Sequence, residues 1–296
     1  MEISNPISIV VTTDEHYLVL LAGLIQSIEA HNFSKKNIHF YIIADNISIE
    51  SRRKLVASID EKFTTIYWKE VDQVISQGFS LPIDWSSYPS NIHLRLFIPS
   101  FLPKEVEKVL YLDVDMIVLR DINELMEVDI DNFIIGAITD SRIQNIGNHW
   151  GGIDNYAALG LSPNLPYFNT GLLLINCNAW RKFNATEKII NCINNNKRFA
   201  KYPDQYGLNV VLANQWKQLD PLWNYFSDGN HPSPFIVHFV SRKPIYTSYS
   251  GNPIYQSLFW EYLSSTKWKQ VGKIGEIERY LKKISNVLEK AIKAFF

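Results

Sequence analysis

The sequence predicts an α/β fold built on a parallel sheet, and three observations support this prediction. Apolar runs typical of strands alternate with helical segments between residues 7 and 112. Polar or acidic residues follow the expected strand ends, which is where such sheets bind ligands. The 46% hydrophobic and 13% aromatic content suffices for a globular core and excludes a disordered chain. A chain of 296 residues forms one large domain or two small ones.

The first part of the chain contains four expected strands and three expected helices. The strands are expected at residues 7–11, 38–44, 65–68 and 109–112. The helices are expected at residues 17–30, at 48–59 with Ser48 or Ser51 as its cap, and from Ser90 to about Pro99. Because a strand–helix–strand unit crosses over with right-handed connections, these strands are expected to run parallel.

The alternation of expected strands and helices becomes less regular after residue 112. Further strands are expected at residues 133–138 and 171–176. Between them, residues 140–168 contain a Gly-Asn-His-Trp-Gly-Gly run and two prolines. A stretch of that length without regular structure is typical of a substrate-binding loop.

Charge and motif content exclude several functional classes. The net charge of -1 gives no electrostatic support for a nucleic-acid partner. The absence of G-x-G-x-x-G and Walker A sequences argues against NAD enzymes and P-loop NTPases. Cys177 and Cys192 match no metal-binding spacing and fit a reducing compartment. The polar N-terminus is unlike a signal peptide, and the apolar run at 17–25 is too short to span a bilayer, so we expect a cytoplasmic protein.

A short acidic signature follows the strand expected at residues 109–112. Asp113 and Asp115, separated by Val114, project from the same side of an extended backbone. Carboxylate oxygens placed so close together suit Mg²⁺ or Mn²⁺, which in turn binds phosphate oxygens. The signature therefore predicts a metal-bound diphosphate substrate.

Three further blocks occur in a fixed order behind this signature. They are Phe-Asn-Thr-Gly-Leu-Leu-Leu-Ile-Asn at 168–176, Pro-Asp-Gln-Tyr-Gly-Leu-Asn at 203–209, and His238 followed by Arg-Lys-Pro at 242–244. Together with the first strand and Asp14, they resemble glycosyltransferase family 8 over residues 7 to about 245. The resemblance implies a retaining enzyme of the GT-A fold, with a Rossmann-like mixed sheet and flanking helices, that uses a UDP-sugar and Mn²⁺. The family includes bacterial lipooligosaccharide galactosyltransferases and glycogenin.

The resemblance also implies a role for individual residues of the donor site. The metal, Mn²⁺ or Mg²⁺, is expected on Asp113, Asp115 and His238. Tyr17 would stack on uracil, and Lys243 would act as a point charge for phosphate. The full set expected at the UDP-sugar is Thr12, Asp14, Tyr17, Arg95, Asp113, Val114, Asp115 and Lys243.

Four more residues are expected around the donor sugar. By the same resemblance, Asn169, Asp204 and Gln205 lie at the reacting centre, and Asp140 contacts sugar. Gln205 stands where a covalent mechanism would need a nucleophile, and an amide is a poor one. We therefore expect a front-face route, in which the leaving phosphate oxygen deprotonates the acceptor.

The chain departs from the family pattern at several positions. Ser241 replaces the usual glycine of the closing segment, and Ile245 replaces the usual tryptophan. His16 stands where asparagine is common, which alters the expected contact with the nucleoside. Tyr206 replaces an acidic residue, so the donor pocket is open to a different sugar.

The combined prediction is a hexosyltransferase that moves glucose or galactose from UDP-glucose or UDP-galactose to a glycan or lipid-linked acceptor, as in lipopolysaccharide biosynthesis. One alternative is a nucleotide-sugar-binding protein without activity, because a fold does not guarantee catalysis. Another is a haloacid-dehalogenase-like phosphatase, since that class also places D-x-D after a strand. Ile117, where threonine or valine is normal, and the late position of the motif argue against the phosphatase.

The C-terminal segment at 266–296 is expected to form a basic amphipathic helix, separate from a GT-A domain at 1–265. Residues 267–296 carry eight basic and three acidic side chains, a net +5. Such a helix binds an anionic membrane surface, packs on the body of the protein or pairs with another subunit. The first interpretation predicts a peripheral protein at the inner face of the cell membrane. The apolar stripe consists of Ile274, Ile277, Leu281, Ile284, Leu288, Ala291 and Phe295.

Overall fold

The computed structural model describes residues 5–75, 79 and 90–295, leaving out the side chains of Ser90 and of 292–295. The predictions on residues 1–4 and on the Phe295 side chain lie outside this range. The strands are β1 Ile7–Asp14, β2 Ile38–Asp45, β3 Thr64–Glu70, β4 Lys108–Leu112, β5 Met116–Val118, β6 Ile135–Thr139, β7 Phe168–Asn176, β8 Trp216–Gln218, β9 Tyr225–Phe226 and β10 Ile236–His238.

Helices flank these strands. The α-helices are α1 Leu18–Ala30, α2 Ile49–Val56, α3 Val71–Val74, α4 Ile98–Phe101, α5 Asn123–Met126, α6 Cys177–Phe183, α7 Ala185–Asn195, α8 Pro203–Val211, α9 Pro253–Ser264 and α10 Glu276–Phe295. Two 3-10 helices cover Ser90–Phe97 and Pro221–Asn224. The helix expected from Ser90 is therefore a 3-10 helix that continues into the short α4. The expected Ser48 cap is confirmed, because its hydroxyl accepts a hydrogen bond from Ser51 N.

Seven of the strands form one mixed sheet, which confirms the predicted α/β class. The chain divides into two compact units. The first unit comprises Met1–Val71, Leu112–Val128 and Leu222–Ser285; the second comprises Asp72–Tyr111, Asp129–Pro221 and Asn286–Phe296.

The first unit contains the strand order β3-β2-β1, with both pairs parallel as predicted. Ile9, Val10 and Val11 are fully buried, which is why β1 reads as a continuous apolar run rather than an alternating one. Strand β1 pairs with β2 along its whole length and ends at Asp14. Helix α1 packs on α9 at Gly23, where an added Cβ would lie 2.6 Å from the Phe259 ring.

A second, three-stranded sheet in the first unit has the order β5-β10-β9. Strand β10 is antiparallel to β5, and His238 lies opposite Met116. The next backbone bond, from Phe239 N to Asp115 O at 2.9 Å, extends this pairing to the acidic signature. The sheet therefore holds the residues around 115 and 238 side by side.

The second unit contains the strand order β4-β7-β6-β8. Strand β6 is antiparallel to β7 and parallel to β8, which makes the sheet mixed. Helix α8 is fixed to β7 by Asn209, whose amide bonds both Phe168 N and Phe168 O at 2.8 Å. At Gly207 of α8, an added Cβ would lie 2.6 Å from Ile193, so the helix passes close to α7.

The C-terminal helix begins at Glu276 rather than at 266. Before it, Ile274 forms a bridge with Tyr246, with bonds from Ile274 N to Ile245 O and from Thr247 N to Ile274 O. Backbone paired in this extended way cannot continue as a helix. None of the helices in the described part of the chain combines the length and the apolarity needed to cross a bilayer.

Candidate active site

Three potential metal ligands lie together in the first unit. Asp113, Asp115 and His238 each offer an atom, and these atoms lie within 4.8 Å of one another. His238 Nε2 is 3.4 Å from an Asp115 oxygen and 3.9 Å from an Asp113 oxygen. Two carboxylates and one imidazole form a donor set that suits Mn²⁺ or Mg²⁺ with further oxygen ligands from a substrate. The residues therefore fit the metal that the sequence predicts.

The ring of His238 is oriented by Asn224. Its Nδ1 lies 2.8 Å from Asn224 Oδ1, and because an amide oxygen only accepts, Nδ1 carries the proton. This tautomer leaves the lone pair of Nε2 facing the two carboxylates. Both His238 and Asn224 are buried, so water does not compete strongly for this bond.

Lys243 makes an ion pair with Asp115. Its ammonium also donates to Phe239 O at 2.8 Å, so both contacts hold it beside the metal ligands. Burial raises the pKa of Asp115, but Lys243 and His238 outweigh burial and leave that pKa well below its usual value. Asp115 is therefore ionised at neutral pH, as a metal ligand must be.

The residues predicted to bind the nucleoside lie at the end of β1. Asp14 Oδ1 accepts from Tyr17 N at 3.0 Å, and its other oxygen pairs with Lys282 at 2.7 Å. Burial, Tyr246 and the negative charges of Asp14 and Asp115 raise the pKa of Tyr17, so this ring lies near both acidic sites. The structure thus brings the predicted nucleoside and metal residues of the first unit together.

Tyr246 completes this part of the site. Its hydroxyl lies 3.2 Å from the Tyr17 hydroxyl and 3.0 Å from His16 Nε2. Thr12 Oγ1 is buried, and within the described residues it has no hydrogen-bond partner. An unsatisfied buried hydroxyl is costly, and a ligand that bonds it would remove that cost. Val114, between the two acids, is buried.

The residues predicted around the donor sugar cluster in the second unit. Asp140 Oδ2 accepts from Asn169 Nδ2 at 3.0 Å and from Gln205 Nε2 at 3.5 Å. Its other oxygen accepts from two backbone N–H groups that begin the 140–168 loop. Gln205 Oε1 in turn accepts from Thr170 N and Oγ1, both at 3.3 Å. Asn169 and Gln205 are half-buried, so both amides remain partly accessible.

Arg95 and Asp204 form a buried ion pair in the same unit. Arg95 Nε lies 3.3 Å from Asp204 Oδ2, and both side chains are less than a tenth exposed. Arg95 also donates to Thr170 O at 2.7 Å and lies over the Tyr111 ring at 4.7 Å. These contacts show that both residues help to hold the second unit together. The role of Arg95 in donor binding and that of Asp204 in catalysis stay predictions.

Sequence reasoning missed three side chains that shape the first-unit site. Asn224 and Lys282 carried no signal, because each reaches its partner only through tertiary packing. Tyr246 follows Lys243 closely in the sequence, and its aromatic character was a usable signal for a wall of the nucleoside site.

The comparisons with known proteins agree with this fold. The family described as "Glycosyl transferase family 8" matches residues 8–245. The fold is that of a GT-A type transferase, and the chain belongs to glycosyltransferase family 8. Family membership decides against the phosphatase alternative.

Several bacterial proteins are similar in sequence. General stress protein A of Bacillus subtilis is 27% identical over 89% of this chain and 95% of its own length. Glycosyltransferase GlyB of Streptococcus pneumoniae is 28% identical over 90% of this chain, which spans 61% of the length of GlyB. A lipopolysaccharide 1,2-glucosyltransferase of Escherichia coli is 25% identical over 80% of this chain and 69% of its own length.

Solved structures share the fold. The galactosyltransferase LgtC, crystallised with donor and acceptor sugar analogs, superimposes with a TM-score of 0.74 at 22% identity, over 89% of this chain and 99% of LgtC. GlyE of Streptococcus pneumoniae superimposes with a TM-score of 0.65 at 22% identity, over 88% of this chain and 60% of GlyE. At these identities the likeness establishes the GT-A architecture.

Proposed function

We propose that this chain is a retaining hexosyltransferase that transfers glucose or galactose from a UDP-sugar to a glycan or lipid-linked acceptor with the help of Mn²⁺. The observation that carries the proposal is the grouping of Asp113, Asp115 and His238, with Asn224 fixing the imidazole. Residues that hold a divalent ion in this way suit a diphosphate leaving group.

Each part of the first-unit site has a task in this reaction. The metal would bind to Asp113, Asp115 and His238. When the donor binds, Lys243 would leave its ion pair with Asp115 and pair with a donor phosphate instead. Asp14 and Tyr17 would bind ribose and uracil, with Thr12 as a further hydrogen-bond donor. A bound Mn²⁺ or Mg²⁺ supplies Lewis-acid stabilisation of the negative charge on the departing UDP.

The second-unit cluster supports a front-face route. Asp140 fixes the amides of Asn169 and Gln205, so neither group has to be ordered when the sugar binds. Gln205 then stabilises the oxocarbenium-like transition state, while the leaving phosphate oxygen takes the proton of the acceptor hydroxyl. The amide of Gln205 is a poor nucleophile, and Asp204 is already paired with Arg95, which disfavours a covalent intermediate.

The location we propose follows from the acceptor. An enzyme that uses UDP-sugars and a lipid-linked acceptor works in the cytoplasm, at the inner face of the cell membrane. One relative named for lipopolysaccharide glucosylation supports an acceptor of this kind.

A donor panel tests the proposal. UDP release from UDP-glucose and UDP-galactose, measured with Mn²⁺ and again with excess EDTA, should be metal-dependent and should name the sugar. We expect Asp113→Asn and Asp115→Asn to abolish turnover and metal-dependent UDP binding, because each removes one anionic ligand.

Asp131→Asn serves as the matched control, because this aspartate is exposed and lies outside the metal group. Full turnover in both ligand variants would reject the site. Tight UDP binding by the wild type without hydrolysis or transfer, over a broad panel of acceptors, would favour a binding protein instead. A sugar covalently attached to Asp204 or Gln205, detected by mass spectrometry during turnover, would reject the front-face route.

A further inference from the structure

The segment at 140–168, where the sequence predicts a substrate-binding loop, is fixed by its own contacts. Ile146 N donates to Leu165 O at 2.8 Å, and Ile153 N donates to Ile146 O at 2.8 Å. Beneath this backbone lies a buried core of Ile143, Ile146, Ile153, Tyr167 and Tyr206. A segment packed in this way presents its exposed side chains at little entropic cost when a ligand binds.

Tyr206 supports this segment from a position where the family pattern has an acidic residue. The side chain is only 2% exposed, and its hydroxyl donates to Asn155 Oδ1 at 2.9 Å. Asn155 Nδ2 in turn donates to Asn196 Oδ1 at 2.9 Å. The residue next to Gln205 along the chain therefore ties α8 to the 140–168 segment.

A turn at residues 148–152 displays Trp150, whose side chain is 56% exposed. Trp150 N donates to Asn148 Oδ1 at 3.0 Å, and Gly152 N donates to Asn148 O at 3.1 Å. Gly151 has a φ of +80°, a conformation that favours glycine, and a Cβ added at Gly152 would lie 2.6 Å from Ile146 O. The two glycines let the turn close tightly, so the indole is held outward.

The base of this turn packs on the segments that form the second-unit cluster. A Cβ added at Gly151 would lie 2.6 Å from Ile143 Cδ1 and 3.6 Å from the Tyr202 ring. Ile143 N donates to Asp140 Oδ1 at 3.0 Å, and Tyr202 directly precedes α8. Single exposed aromatic residues are common on protein surfaces. Trp150 differs because it extends from a fixed turn that packs against both parts of the cluster.

The surroundings of Trp150 favour a sugar as its ligand. Trp150 is the one large apolar side chain that is exposed within 140–168, all of which the structure describes. An acyl chain or a protein partner needs a wider apolar patch than one indole. A pyranose ring can present a face of C–H groups that matches an indole, and its hydroxyls need polar partners. Exposed polar side chains of the same segment are Ser141, Arg142, Gln144 and His149.

We propose that Trp150 stacks on a pyranose ring of the acceptor, which makes the acceptor a glycan rather than a bare lipid or a protein hydroxyl. This inference rests on the proposed function, since it names the substrate that receives the sugar. Stacking would hold one acceptor hydroxyl toward the donor sugar. In the transfer, the oxygen of that hydroxyl bonds to the anomeric carbon, the bond from this carbon to UDP breaks, and the acceptor proton leaves on the phosphate oxygen of UDP.

An acceptor panel tests the substrate class. UDP release from UDP-glucose and from UDP-galactose is measured with Mn²⁺, first without acceptor and then with the methyl pyranosides of glucose, galactose, mannose and N-acetylglucosamine. Glycerol and decyl phosphate serve as acceptors without a sugar ring. We expect at least one pyranoside to accelerate UDP release and neither of these two compounds to do so. Failure of every pyranoside, or equal acceleration by glycerol or decyl phosphate, would overturn the proposal.

Variants of Trp150 test the stacking. We expect Trp150→Ala to raise the KM of the accelerating pyranoside about tenfold, because aromatic anchors carry much of the binding energy of an interface. Trp150→Tyr keeps a flat ring and should stay within about threefold of the wild-type KM. Phe33→Ala removes a ring that is 72% exposed outside the segment and should retain the wild-type KM. An unchanged KM in Trp150→Ala, or a rise of the same size in Trp150→Tyr, would overturn the stacking.

Saturation-transfer NMR separates a failure of this inference from a failure of the proposed function. The same methyl pyranosides are tested for binding to the wild type and to Trp150→Ala, without donor. Binding to the wild type that Trp150→Ala loses would support the stacking, even if the wild type releases no UDP and the proposed function is rejected. UDP release that no pyranoside accelerates, with no pyranoside bound, would reject the stacking and leave the transferase assignment in place.

Discussion

At the scale of single residues, the orientation of the His238 ring depends on its hydrogen bond with Asn224. An imidazole binds metal through a lone pair, and the hydrogen bond to Asn224 decides which nitrogen keeps it. Phe226 lies edge-on to the same ring, with centroids 5.8 Å apart, and limits its rotation. The ligand is therefore oriented before any metal arrives.

We predict that Asn224→Ala weakens Mn²⁺ binding about 10- to 100-fold, because the ring loses its fixed tautomer and orientation. Calorimetric titration with Mn²⁺ in the presence of UDP measures the change. Asn214→Ala, at an exposed amide, should leave the affinity unaltered. Equal Mn²⁺ affinity in all three proteins would show that His238 does not need Asn224.

At the scale of elements, α8 begins with the Pro-Asp-Gln sequence that places Asp204 and Gln205 in the second-unit cluster. Arg95, from the 3-10 helix, neutralises Asp204 and bonds the carbonyl of Thr170 on β7. Three elements are thus joined through one buried guanidinium. Removing one partner of such a pair leaves an uncompensated charge in the interior.

We predict that Arg95→Met lowers the free energy of unfolding by about 3–5 kcal/mol, because Asp204 stays buried and loses its partner. The double variant Arg95→Met/Asp204→Leu should recover a large part of that loss, since neither charge remains. Urea unfolding followed by circular dichroism measures both. If the double variant is as unstable as the single one, the Thr170 bond rather than the ion pair holds the elements together.

At the scale of the whole molecule, each unit collects residues from distant parts of the chain. The first unit joins Asp14, the 113–115 signature, Asn224 and the 238–243 segment. The second unit joins Asp140, Asn169 and Gln205. A ligand that bonds several such segments stabilises the fold in proportion to its affinity, because it binds the native state alone.

We predict that Mn²⁺ with UDP raises the thermal midpoint of unfolding. At about 100 times Kd, such binding stabilises the native state by about 2.7 kcal/mol. Differential scanning fluorimetry with Mn²⁺ and UDP, compared with EDTA and UDP, measures the shift. Asp115→Asn should lose it, and Asp131→Asn should keep it. A shift of the same size in EDTA would mean that UDP binds without the metal.

Reasoning from the sequence alone predicts only those parts of the site whose residues are close together along the chain. The strands were predictable because buried parallel strands require continuous apolar runs such as Ile9 to Val11. The metal signature was predictable because Asp113 and Asp115 share one extended segment. His238, Lys243 and the second-unit residues entered only through the family resemblance, since nothing within their own segments connects them to the signature.

The amino-acid sequence by itself determined the α/β class, the acidic pair and the amphipathic character of the C-terminal helix, because each of these depends on the spacing of neighbouring residues. The tertiary structure decided which residues from distant segments of the chain lie in contact. Pairing of β10 with β5 places His238 beside Asp115, and tertiary packing brings Arg95 into an ion pair with Asp204. The same packing turns the Lys282 side of α10 toward Asp14, and it leaves the apolar side chains of Ile277, Leu281, Ile284 and Leu288 exposed.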